Sequence, residues 1–482
     1  MYLGLDLGTS GLKALLMGAD QKVVASASAA LSVSRPHDGW SEQDPADWIG
    51  AAEEAIGALV LSHPKEMAAM RGIGLSGQMH GATLVDGAGV VLRPSILWND
   101  TRSHAEARAL DADPRFRQIT GNIVFPGFTA PKLAWVRANE PEIFERVAKV
   151  LLPKDYVRLW LTGEMISEMS DSAGTAWLDV ANRRWSLDLL AATGLAEEHM
   201  PSLVEGTEPA GRLRGELAAR WGMTGHVIVA GGAGDNAASA CGLGVAKGGE
   251  AFVSLGTSGV VFAATDSYLP NPQSAIHTFC HALPRTWHQM GVILSATDGL
   301  NWLASVTGAE PAALTGELGT ELRAPSGVTF LPYLSGERTP HNDAAIRGAF
   351  VGLSHQSDRA NLTQAVLEGV AFALRDNLEA LRAAGTELSS VMAVGGGSRS
   401  QLWLKTIATA LGIPVELPAD GDFGAAFGAA RLGLIAAEKA EPASILTRPR
   451  IASTIEPDRA LASAYGDAYA RFRALYPALK GV

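Results

Sequence analysis

Two acidic residues, each beside a glycine-rich turn, are the first candidates for chemistry in this sequence. Asp6 follows an apolar run and opens the segment Asp6-Leu-Gly-Thr-Ser-Gly11. At the end of a buried strand, its carboxylate could face a Mg²⁺–phosphate unit while the backbone of Gly8–Gly11 approaches the phosphate. The alternative is an aspartate that only forms a polar β-turn. Asp6 is therefore a candidate for metal and phosphate chemistry.

The second aspartate, Asp235, stands at the junction of a predicted strand and a predicted helix. The strand-like run Val227–Ala230 ends in a flexible glycine turn, and the helix runs from about Ala237. A helix N-terminus favours an ionised carboxylate by about 0.3–1 kcal/mol. Asp235 is therefore a candidate general base at neutral pH. A simple helix N-cap is the alternative.

Two segments match the glycine pattern of dinucleotide-binding turns, and both are poor matches in context. Gly232–Ala237 follows a proper strand, but the helix before Ala251 is short, and Glu250 precedes the next strand, whose end should carry the ribose-binding acid. Gly72–Gly77 runs into the strand-like Thr83–Val85, where a helix is required. The chain also lacks a G-x-x-x-x-G-K-[ST] segment, which excludes the P-loop kinases.

The pentapeptide Leu-Gly-Thr-Ser-Gly occurs twice, at Leu7–Gly11 and at Leu255–Gly259, 248 positions apart (255 − 7). Both copies lie between apolar, strand-like runs. This context predicts a duplicated fold in which two phosphate-binding hairpins face one cleft. Ser254 stands in the second copy where the first has Asp6. The two loops are thus unequal, as expected if only one side handles a metal ion.

A strand–turn–helix unit in the second half contains a further glycine-rich turn. Val391–Val394 is strand-like, Gly395–Ser400 forms the turn, and Gln401–Leu411 has a helical composition. Three glycines let the backbone approach a nucleotide closely, and the helix N-terminus can face phosphate. A tight connection without a ligand is the alternative.

Two polar clusters carry the side chains that polyol recognition needs. Gln78-Met-His-Gly81 lies between two predicted strands, and Trp98-Asn-Asp100 follows the strand-like Ser95–Leu97. Planar polar side chains donate and accept hydrogen bonds together, while an aromatic face covers the carbon skeleton. A purely structural role is the alternative for His80.

Other polar residues carry weaker signals. The loop Ser335–Pro340 is polar, and its Glu337 and Arg338 could form a pair that is simply solvated. Three histidines lack the spacing of a metal site, and we expect structural roles for them; they are His277, His281 and His288.

Strand-like and helix-like segments alternate along the whole chain, so the sequence predicts an α/β protein. The predicted strands are Leu3–Leu7, Leu12–Met17, Lys22–Ser28, Gly72–Leu75, Val227–Ala230, Ala251–Leu255, Val260–Ala264 and Val391–Val394. The predicted helices include Trp48–Leu61, Leu362–Ala384 and Trp403–Leu411. The glycine-dense segment Ala230–Gly249 lies at the midpoint and is the expected hinge between two domains.

Length and charge limit the possible functions. A chain of 482 residues with 47% hydrophobic and 18% charged residues suits two globular domains. A formal charge of −11 without a basic cluster argues against nucleic acid and anionic membrane as partners. Two cysteines cannot build a disulfide framework, which favours a reducing compartment, the cytoplasm. No stretch of about 20 apolar residues is present.

Longer motifs resemble those of the FGGY family of carbohydrate kinases, within the actin/hexokinase/Hsp70-like ATPase superfamily. The family's C-terminal signature is met by Gly348–Leu353, a gap of seven residues, and Asn361–Glu368. Its N-terminal signature is nearly met by Gly127–Val136 and departs at Ala138, where a polar residue is usual. More specific matches, characteristic of pentulose kinases, are Ser76–Gly81, Leu97–Asp100, Leu152–Tyr156, Gly234–Asn236 and Phe330–His341. A glycerol kinase would have an Arg-Glu pair in place of Met79-His80.

The resemblance runs from Met1 to about Leu434 and implies an architecture and a reaction. The fold would be two duplicated ribonuclease H-like lobes, the actin-like ATPase fold, with a catalytic cleft between them. Residues 1–245 would form the lobe with the sugar site and the base, and residues 246–482 the nucleotide-binding lobe. The implied reaction transfers the γ-phosphoryl group of MgATP to the 5-hydroxyl of D-xylulose. A homodimer is the expected assembly.

The resemblance also assigns roles position by position. Asp235 would be the general base, and Asp6 would act at the Mg²⁺–phosphate site, with both carboxylates available to the metal. The residues expected near the ketose are Met79, His80, Trp98, Asn99, Asp100 and Asn236. The residues expected to line the nucleotide site are Gly8, Thr9, Ser10, Lys13, Gly256, Thr257, Ser258, Gly395, Gly396, Gly397 and Ser398.

Three other functions remain open at this point. The chain could phosphorylate another pentulose or a polyol. It could be an NAD(P)-dependent dehydrogenase that uses the Gly232 turn. It could also be an ATP-driven clamp that has the same fold but phosphorylates no sugar.

Overall fold

The structure is a computed structural model that describes residues 1–419, 421 and 423–481. It contains two large mixed β-sheets with helices packed against them. The strands, numbered β1 to β24 in chain order, are Tyr2–Leu7, Gly11–Met17, Val23–Ala30, Glu42–Gln43, Gly72–Gly77, Thr83–Val85, Ser95–Ile96, Lys149–Leu151, Ile166–Glu168, Leu178–Asp179, Arg184–Trp185, Ser202–Val204, Pro209–Arg212, Ile228–Ala230, Ala233–Gly234, Ala251–Leu255, Gly259–Thr265, His277–Cys280, Trp287–Ile293, Thr329–Leu331, Ala349–Val351, Val391–Val394, Val415–Pro418 and Ile451–Ile455.

The helices lie between these strands and after them. In chain order, α1 to α18 are Pro45–Ser62, Pro64–Ala68, His104–Asp111, Pro114–Thr120, Thr129–Asn139, Pro141–Phe144, Pro153–Thr162, Met169–Ser172, Leu187–Ala192, Gly215–Arg220, Asp235–Leu243, Thr297–Thr307, Pro311–Glu317, Arg359–Ala383, Gln401–Leu411, Ala425–Glu438, Pro442–Ile445 and Ala462–Leu479. None of the described helices is both long enough and apolar enough to cross a membrane.

The two large sheets share one strand order. The first runs β13-β14-β5-β1-β2-β3, with β15 also paired to β5, and the second runs β18-β19-β17-β16-β22-β23-β24. In each sheet a three-stranded antiparallel meander is followed by two strands parallel to its first strand. The series β3-β2-β1-β5-β14 therefore corresponds to β19-β17-β16-β22-β23. The prediction of a duplicated α/β fold is confirmed.

A pair of helices crosses between the two halves. Helix α16, from the second half, packs on the first sheet, and α11, from the first half, shares an apolar cluster with the second sheet. The close approach of α16 requires glycine on the facing strands. A Cβ at Gly74 would lie 1.7 Å from the carbonyl oxygen of Ala429, and one at Gly4 would lie 1.8 Å from that of Ala426. The halves are thus interlocked through α11 and α16.

The glycine pattern of Gly72–Gly77 has a structural explanation. All six residues belong to β5, a buried central strand, and no helix follows. Two of its glycines, Gly72 and Gly74, make room for α16. The segment is therefore not a dinucleotide-binding turn, as its context predicts.

Most predicted elements are present, with small shifts at their ends. Two predicted strands, Ala251–Leu255 and Val391–Val394, have their predicted bounds, while the others differ by one or two residues at an end. The predicted helix over Leu362–Ala384 begins earlier, at Arg359, because Asp358 forms a capping box with Asn361.

Candidate active site between two cavities

The first glycine turn lies at the carboxyl end of β1. Asp6 faces Lys13 across the β1–β2 pair and accepts a hydrogen bond of 2.9 Å from the Ser76 hydroxyl on β5. The turn itself is closed by the Gly8 N–H, which donates to the carbonyl of Gly11 at 2.9 Å. Lys13 and Asp6 are half-buried, while Ser10 is exposed at the tip of the turn. This arrangement places a carboxylate and an amine beside an accessible turn.

The second copy of the pentapeptide forms a different turn. Leu255 pairs with Gly259 across β16 and β17, whereas the equivalent Leu7 pairs with Leu12. The second turn is held by Thr297, whose N–H and hydroxyl both donate to the Gly256 carbonyl, at 2.9 and 2.8 Å. Two residues of the turn are exposed, Thr257 and Ser258. The same five residues thus form two hairpins of different register.

Asp235 is the first residue of α11, and Gly234 is the N-cap. Its carboxylate accepts hydrogen bonds from the N–H and the side-chain amide of Asn236, at 2.7 and 3.0 Å. Burial, followed by repulsion from Asp6, raises the pKa of Asp235 to about 6. The sequence suggested that the helix N-terminus would favour the ionised form. Burial and the charge of Asp6 outweigh that effect and raise the pKa instead. At pH 7 the carboxylate is still mostly ionised, and it is a stronger base than an ordinary aspartate.

A buried ionic cluster lies beneath the segment that leads to Asp235. The ammonium of Lys154 lies 2.7 Å from Asp155, 3.4 Å from Glu168 and 3.2 Å from Asp171, and all four side chains are fully buried. Burial raises the pKa of both Glu168 and Asp171. Lys154 belongs to one of the family motifs in the sequence, but no pattern in the sequence predicts this cluster.

Two neighbours of the cluster, Arg158 beside Asp155 and Ser170 beside Glu168, are bonded to the backbone that precedes Asp235. Arg158 donates to the carbonyls of Ala230 and Gly231, each at 2.5 Å. The Gly234 N–H donates to the hydroxyl of Ser170 at 3.1 Å, and that hydroxyl donates to Glu168 at 2.8 Å. These bonds fix both ends of the glycine turn, so the cluster positions the first turn of α11.

A cavity of about 300 Å³ is lined by residues of both halves of the chain. His80 lines it; its Nδ1 donates to the Gly174 carbonyl at 2.7 Å, and its ring stacks on Phe128 with centroids 4.7 Å apart. Burial, with nearby Lys132, lowers the pKa of His80 to about 3. The imidazole is therefore neutral, and Nε2 is a hydrogen-bond acceptor.

The second polar cluster lines the same cavity through Trp98, Asn99 and Asp100. The Trp98 indole is 47% exposed and donates to the Thr9 hydroxyl at 3.0 Å. Asp100 is buried, and both of its oxygens accept hydrogen bonds from Arg102. Its carboxylate thus has protein partners already.

Met79, the residue before His80, packs against Gly234, the residue before Asp235. It is 7% exposed, and a Cβ on Gly234 would lie 3.0 Å from its sulfur. Asn236, one residue beyond Asp235, lines a second cavity. The structure therefore does not gather all predicted sugar residues around one cavity. Asp235 itself lines neither cavity: the residue before it, Gly234, packs against Met79, next to His80 of the first cavity, and the residue after it, Asn236, lines the second.

The second cavity has a volume of about 550 Å³ and lies between α11 and the strands β16, β22 and β23. Two predicted nucleotide residues line it, Gly395 and Ser398. Gly395 has a φ of 90°, and a Cβ there would lie 2.8 Å from the Leu255 carbonyl. Gly397 is buried against Leu255, and Gly396 is exposed. The other predicted nucleotide residues do not line this cavity: Lys13 lies on β2, and the rest belong to the two pentapeptide turns.

The residues present fit a Mg²⁺–phosphate unit. Mg²⁺ is commonly held by one or two carboxylates together with substrate phosphates, and Asp6 is close enough to Asp235 to raise its pKa. Among the described residues no group of three or more histidines, cysteines, aspartates or glutamates could hold a metal without a substrate. The site thus suits a metal that arrives with a nucleotide.

The polar loop of the second half is not solvated. Glu337 is 2% exposed and lines the first cavity together with Arg338. The interpretation of these residues as a solvated pair is therefore wrong, because the loop packs against the first half of the chain. The three histidines without metal spacing are all buried, and burial lowers their pKa; they are His277, His281 and His288.

Comparison with known proteins identifies the family. The model of the FGGY family of carbohydrate kinases, N-terminal domain, matches residues 1–242, and the C-terminal domain model matches residues 251–437. This chain belongs to the FGGY family of carbohydrate kinases.

Several relatives are similar over most of their length. The xylulose kinase of Escherichia coli K12 is 48% identical, covering 99% of both chains, and that of Klebsiella pneumoniae is 50% identical, covering 90% of each. The crystal structure of a xyloylose kinase from Brucella ovis is 69% identical, with a TM-score of 0.98 over 99% of both chains. The predicted two-lobed fold and carbohydrate kinase activity are thus confirmed.

Proposed function

We propose that this enzyme transfers the γ-phosphoryl group of ATP to the 5-hydroxyl of D-xylulose and releases D-xylulose 5-phosphate and ADP. The observation that carries the proposal is Asp235, a carboxylate of raised pKa that stands between Gly234, which packs against Met79 next to His80 of the first cavity, and Asn236, which lines the second. The similarity of the chain to xylulose kinases over its whole length supports the choice of sugar.

Asp235 is the general base in this proposal. Its carboxylate takes the proton of the sugar hydroxyl while the oxygen attacks the γ-phosphorus and the bond to the β-phosphate oxygen breaks. Because the transition state is loose, positioning the groups matters more than strong proton abstraction. The buried cluster around Lys154 and Ser170 supports this role, because it fixes the turn that carries Asp235.

The sugar occupies the 300 Å³ cavity in this proposal. His80 accepts a hydroxyl hydrogen at Nε2, Trp98 covers a carbon face, and Asn99 offers its amide. Met79 shapes the wall next to Gly234. We assign Asp100 to the same wall, where its bonds to Arg102 orient the segment. Asn236 lies between this cavity and the nucleotide.

ATP occupies the 550 Å³ cavity in this proposal. Gly395 and Ser398 lie beside the nucleoside, and their neighbours Gly396 and Gly397 complete that turn. The phosphates lie toward the two pentapeptide turns. We assign the contacts with the phosphates to Gly8, Thr9, Ser10, Gly256, Thr257 and Ser258 of these turns and to Lys13 on β2. Mg²⁺ would be held by Asp6 and Asp235, where it would neutralise charge on the phosphates.

The remaining expectations are part of the proposal. We place the boundary between the lobes at residues 245 and 246, which agrees with the gap between the two family models. Two buried, unpaired cysteines favour a reducing compartment such as the cytoplasm. The homodimer is expected from the family resemblance, and light scattering on the purified chain tests it.

The test is ADP release measured with a panel of pentuloses, polyols and aldonates. We expect turnover that requires Mg²⁺ and a kcat/KM highest for D-xylulose. A higher kcat/KM for glycerol or gluconate would contradict the choice of sugar. ATP turnover that no sugar stimulates would indicate a clamp, and a change in nicotinamide absorbance with a polyol would indicate a dehydrogenase.

A further inference from the structure

The wall of the sugar cavity that belongs to the second lobe is formed by Glu337 and Arg338. They line the cavity together with His80 and Phe125 of the first lobe. The guanidinium carbon of Arg338 lies 4.6 Å from the centre of the Phe125 ring. A cation over an aromatic ring in a desolvated site is attracted by the electron-rich face of the ring. The Arg338 side chain is thus fixed across the two lobes.

The donors of Arg338 are mostly unused by the protein. Two buried arginines of the first half, Arg93 and Arg102, have a carboxylate partner in Glu42. Within the described residues Arg338 has no carboxylate within 4.0 Å, and its guanidinium donates only to Nε2 of His277, at 3.4 Å. Since a guanidinium has five N–H donors, several remain for a ligand.

Glu337 has an unused oxygen in the same wall. Its Oε1 accepts from the N–H groups of Leu294 and Arg338, at 3.0 and 2.8 Å. Its Oε2 is buried and has no hydrogen-bond partner among the described residues. Burial raises the pKa of Glu337 to about 8, so at neutral pH the carboxyl group is mostly protonated and can donate. A buried polar atom without a partner is costly unless a ligand satisfies it.

We propose that Arg338 donates to the C2 carbonyl oxygen of the ketose and that Glu337 binds the neighbouring C1 hydroxyl, so that both residues determine specificity for the keto end of the sugar. This proposal rests on the proposed function. A carbonyl oxygen only accepts hydrogen bonds, which suits a guanidinium, and a hydroxyl both donates and accepts, which suits a protonated carboxyl group.

The position of Arg338 relative to Asp235 supports the assignment. Asp235 follows Gly234, and Gly234 packs against Met79. His80, the residue after Met79, stacks on Phe128. Arg338 lies over Phe125, whose ring centroid is 5.5 Å from that of Phe128. The hydroxyl that receives the phosphoryl group must reach Asp235, so the opposite end of the sugar is the one that Arg338 can contact.

The test compares Arg338→Met with wild type for two ligands, D-xylulose and D-arabinitol, which is one of the two alcohols formed by reducing the C2 carbonyl of D-xylulose. The affinity for each is measured calorimetrically, and for D-arabinitol also as competitive inhibition of D-xylulose turnover. We expect the dissociation constant of D-xylulose to rise by about 10–100-fold and that of D-arabinitol by less than about threefold, because only the ketose loses a charge-assisted hydrogen bond. The KM for ATP should stay within about twofold.

A second set of variants tests Glu337 and controls for losses of binding that are caused by misfolding. Glu337→Ala should weaken the binding of D-xylulose by at least about fivefold and leave that of 1-deoxy-D-xylulose nearly unchanged. Arg338→Lys, which keeps the charge, should have an intermediate effect. The control is Arg459→Met, on the exposed surface, which should change no constant.

The outcomes separate this inference from the proposed function. A wild-type enzyme that does not phosphorylate D-xylulose would overturn the proposed function. If wild type phosphorylates D-xylulose but Arg338→Met weakens ketose and alcohol equally, or weakens neither, only the present inference is overturned. Equal losses for D-xylulose and 1-deoxy-D-xylulose in Glu337→Ala would overturn the assignment of Glu337.

Discussion

At the scale of single residues, the environment of Asp235 sets the pH at which the enzyme works. Burial and the nearby Asp6 raise the pKa of Asp235 to about 6. In the enzyme without MgATP, the Asp235 carboxyl group should therefore titrate with a midpoint near pH 6, which NMR of the carboxyl carbon from about pH 4 to pH 8 measures. The protonated carboxyl group cannot accept the sugar proton, and a Mg²⁺ ion held by Asp235 would favour the ionised form, so with saturating MgATP kcat/KM should level off at a lower pH than this midpoint. In the NMR titration, a midpoint near 4, typical of an exposed aspartate, would contradict the assigned environment.

Residue types in short motifs predicted part of the site. The clusters Gln78–Gly81 and Trp98–Asp100 supplied four residues that line the sugar cavity or its edge. Glu337 and Arg338 were missed, because only the packing of one lobe against the other buries them. The raised pKa of Asp235 was also unpredictable, since the repulsion from Asp6 comes from a residue 229 positions away (235 − 6).

At the scale of secondary-structure elements, a single hydroxyl connects the buried cluster to the turn before α11. In Ser170→Ala, the Gly234 N–H loses its acceptor, at present 3.1 Å away. A buried donor without a partner costs about 1–3 kcal/mol, and the turn should shift, so kcat should fall by about tenfold while the KM for ATP stays the same.

Rescue distinguishes positioning from general destabilisation. Ser170→Thr keeps the hydroxyl and should restore most of kcat. Ser62→Ala, at an exposed helix end, is the matched control and should be neutral. Equal kcat in Ser170→Ala and wild type would show that the hydroxyl does not position Asp235.

The packing of α16 on the first sheet predicts that substitution of one glycine, Gly74, will cause a large loss of stability. In Gly74→Ala, the new Cβ would overlap the backbone of Ala429. Helix and sheet must separate, so the free energy of unfolding should fall by about 3 kcal/mol. Gly57→Ala is the control, because nothing lies within 4 Å of its new Cβ in the helix α1. It should be slightly more stable by about 0.5–1 kcal/mol. Denaturant unfolding measures both.

The bounds of the helices and strands were largely predictable from the sequence, but which helix packs on which sheet was not. Continuous apolar runs predicted the central strands to within a residue or two, because nearly all of their residues are buried. Helix α16 of the second half packs on the first sheet, and α11 of the first half packs on the second. This arrangement depends on contacts between residues that are far apart in the chain, which local sequence patterns do not contain. The repeated pentapeptide predicted two hairpins but not their different registers.

At the scale of the whole molecule, the two cavities must act together for transfer to occur. Residues of both lobes line the sugar cavity, and α11 borders the nucleotide cavity. We expect the lobes to close on ligands, which excludes water from the phosphoryl group. Small-angle scattering with D-xylulose and a non-hydrolysable ATP analogue should show a smaller radius of gyration than the free protein. No change in the saturated complex would count against closure.

The most direct test of the central claim is kcat of Asp235→Asn, together with the affinity for D-xylulose and MgATP. The amide keeps the shape but cannot accept the proton, so kcat should fall by at least about 100-fold while binding changes by less than about 1.5 kcal/mol. Because the folded pKa of Asp235 is raised, its ionised form opposes folding above about pH 6, and the variant should be at least as stable as wild type at pH 7. A destabilised variant that retains the wild-type kcat would show that Asp235 only caps α11 and that another group is the base.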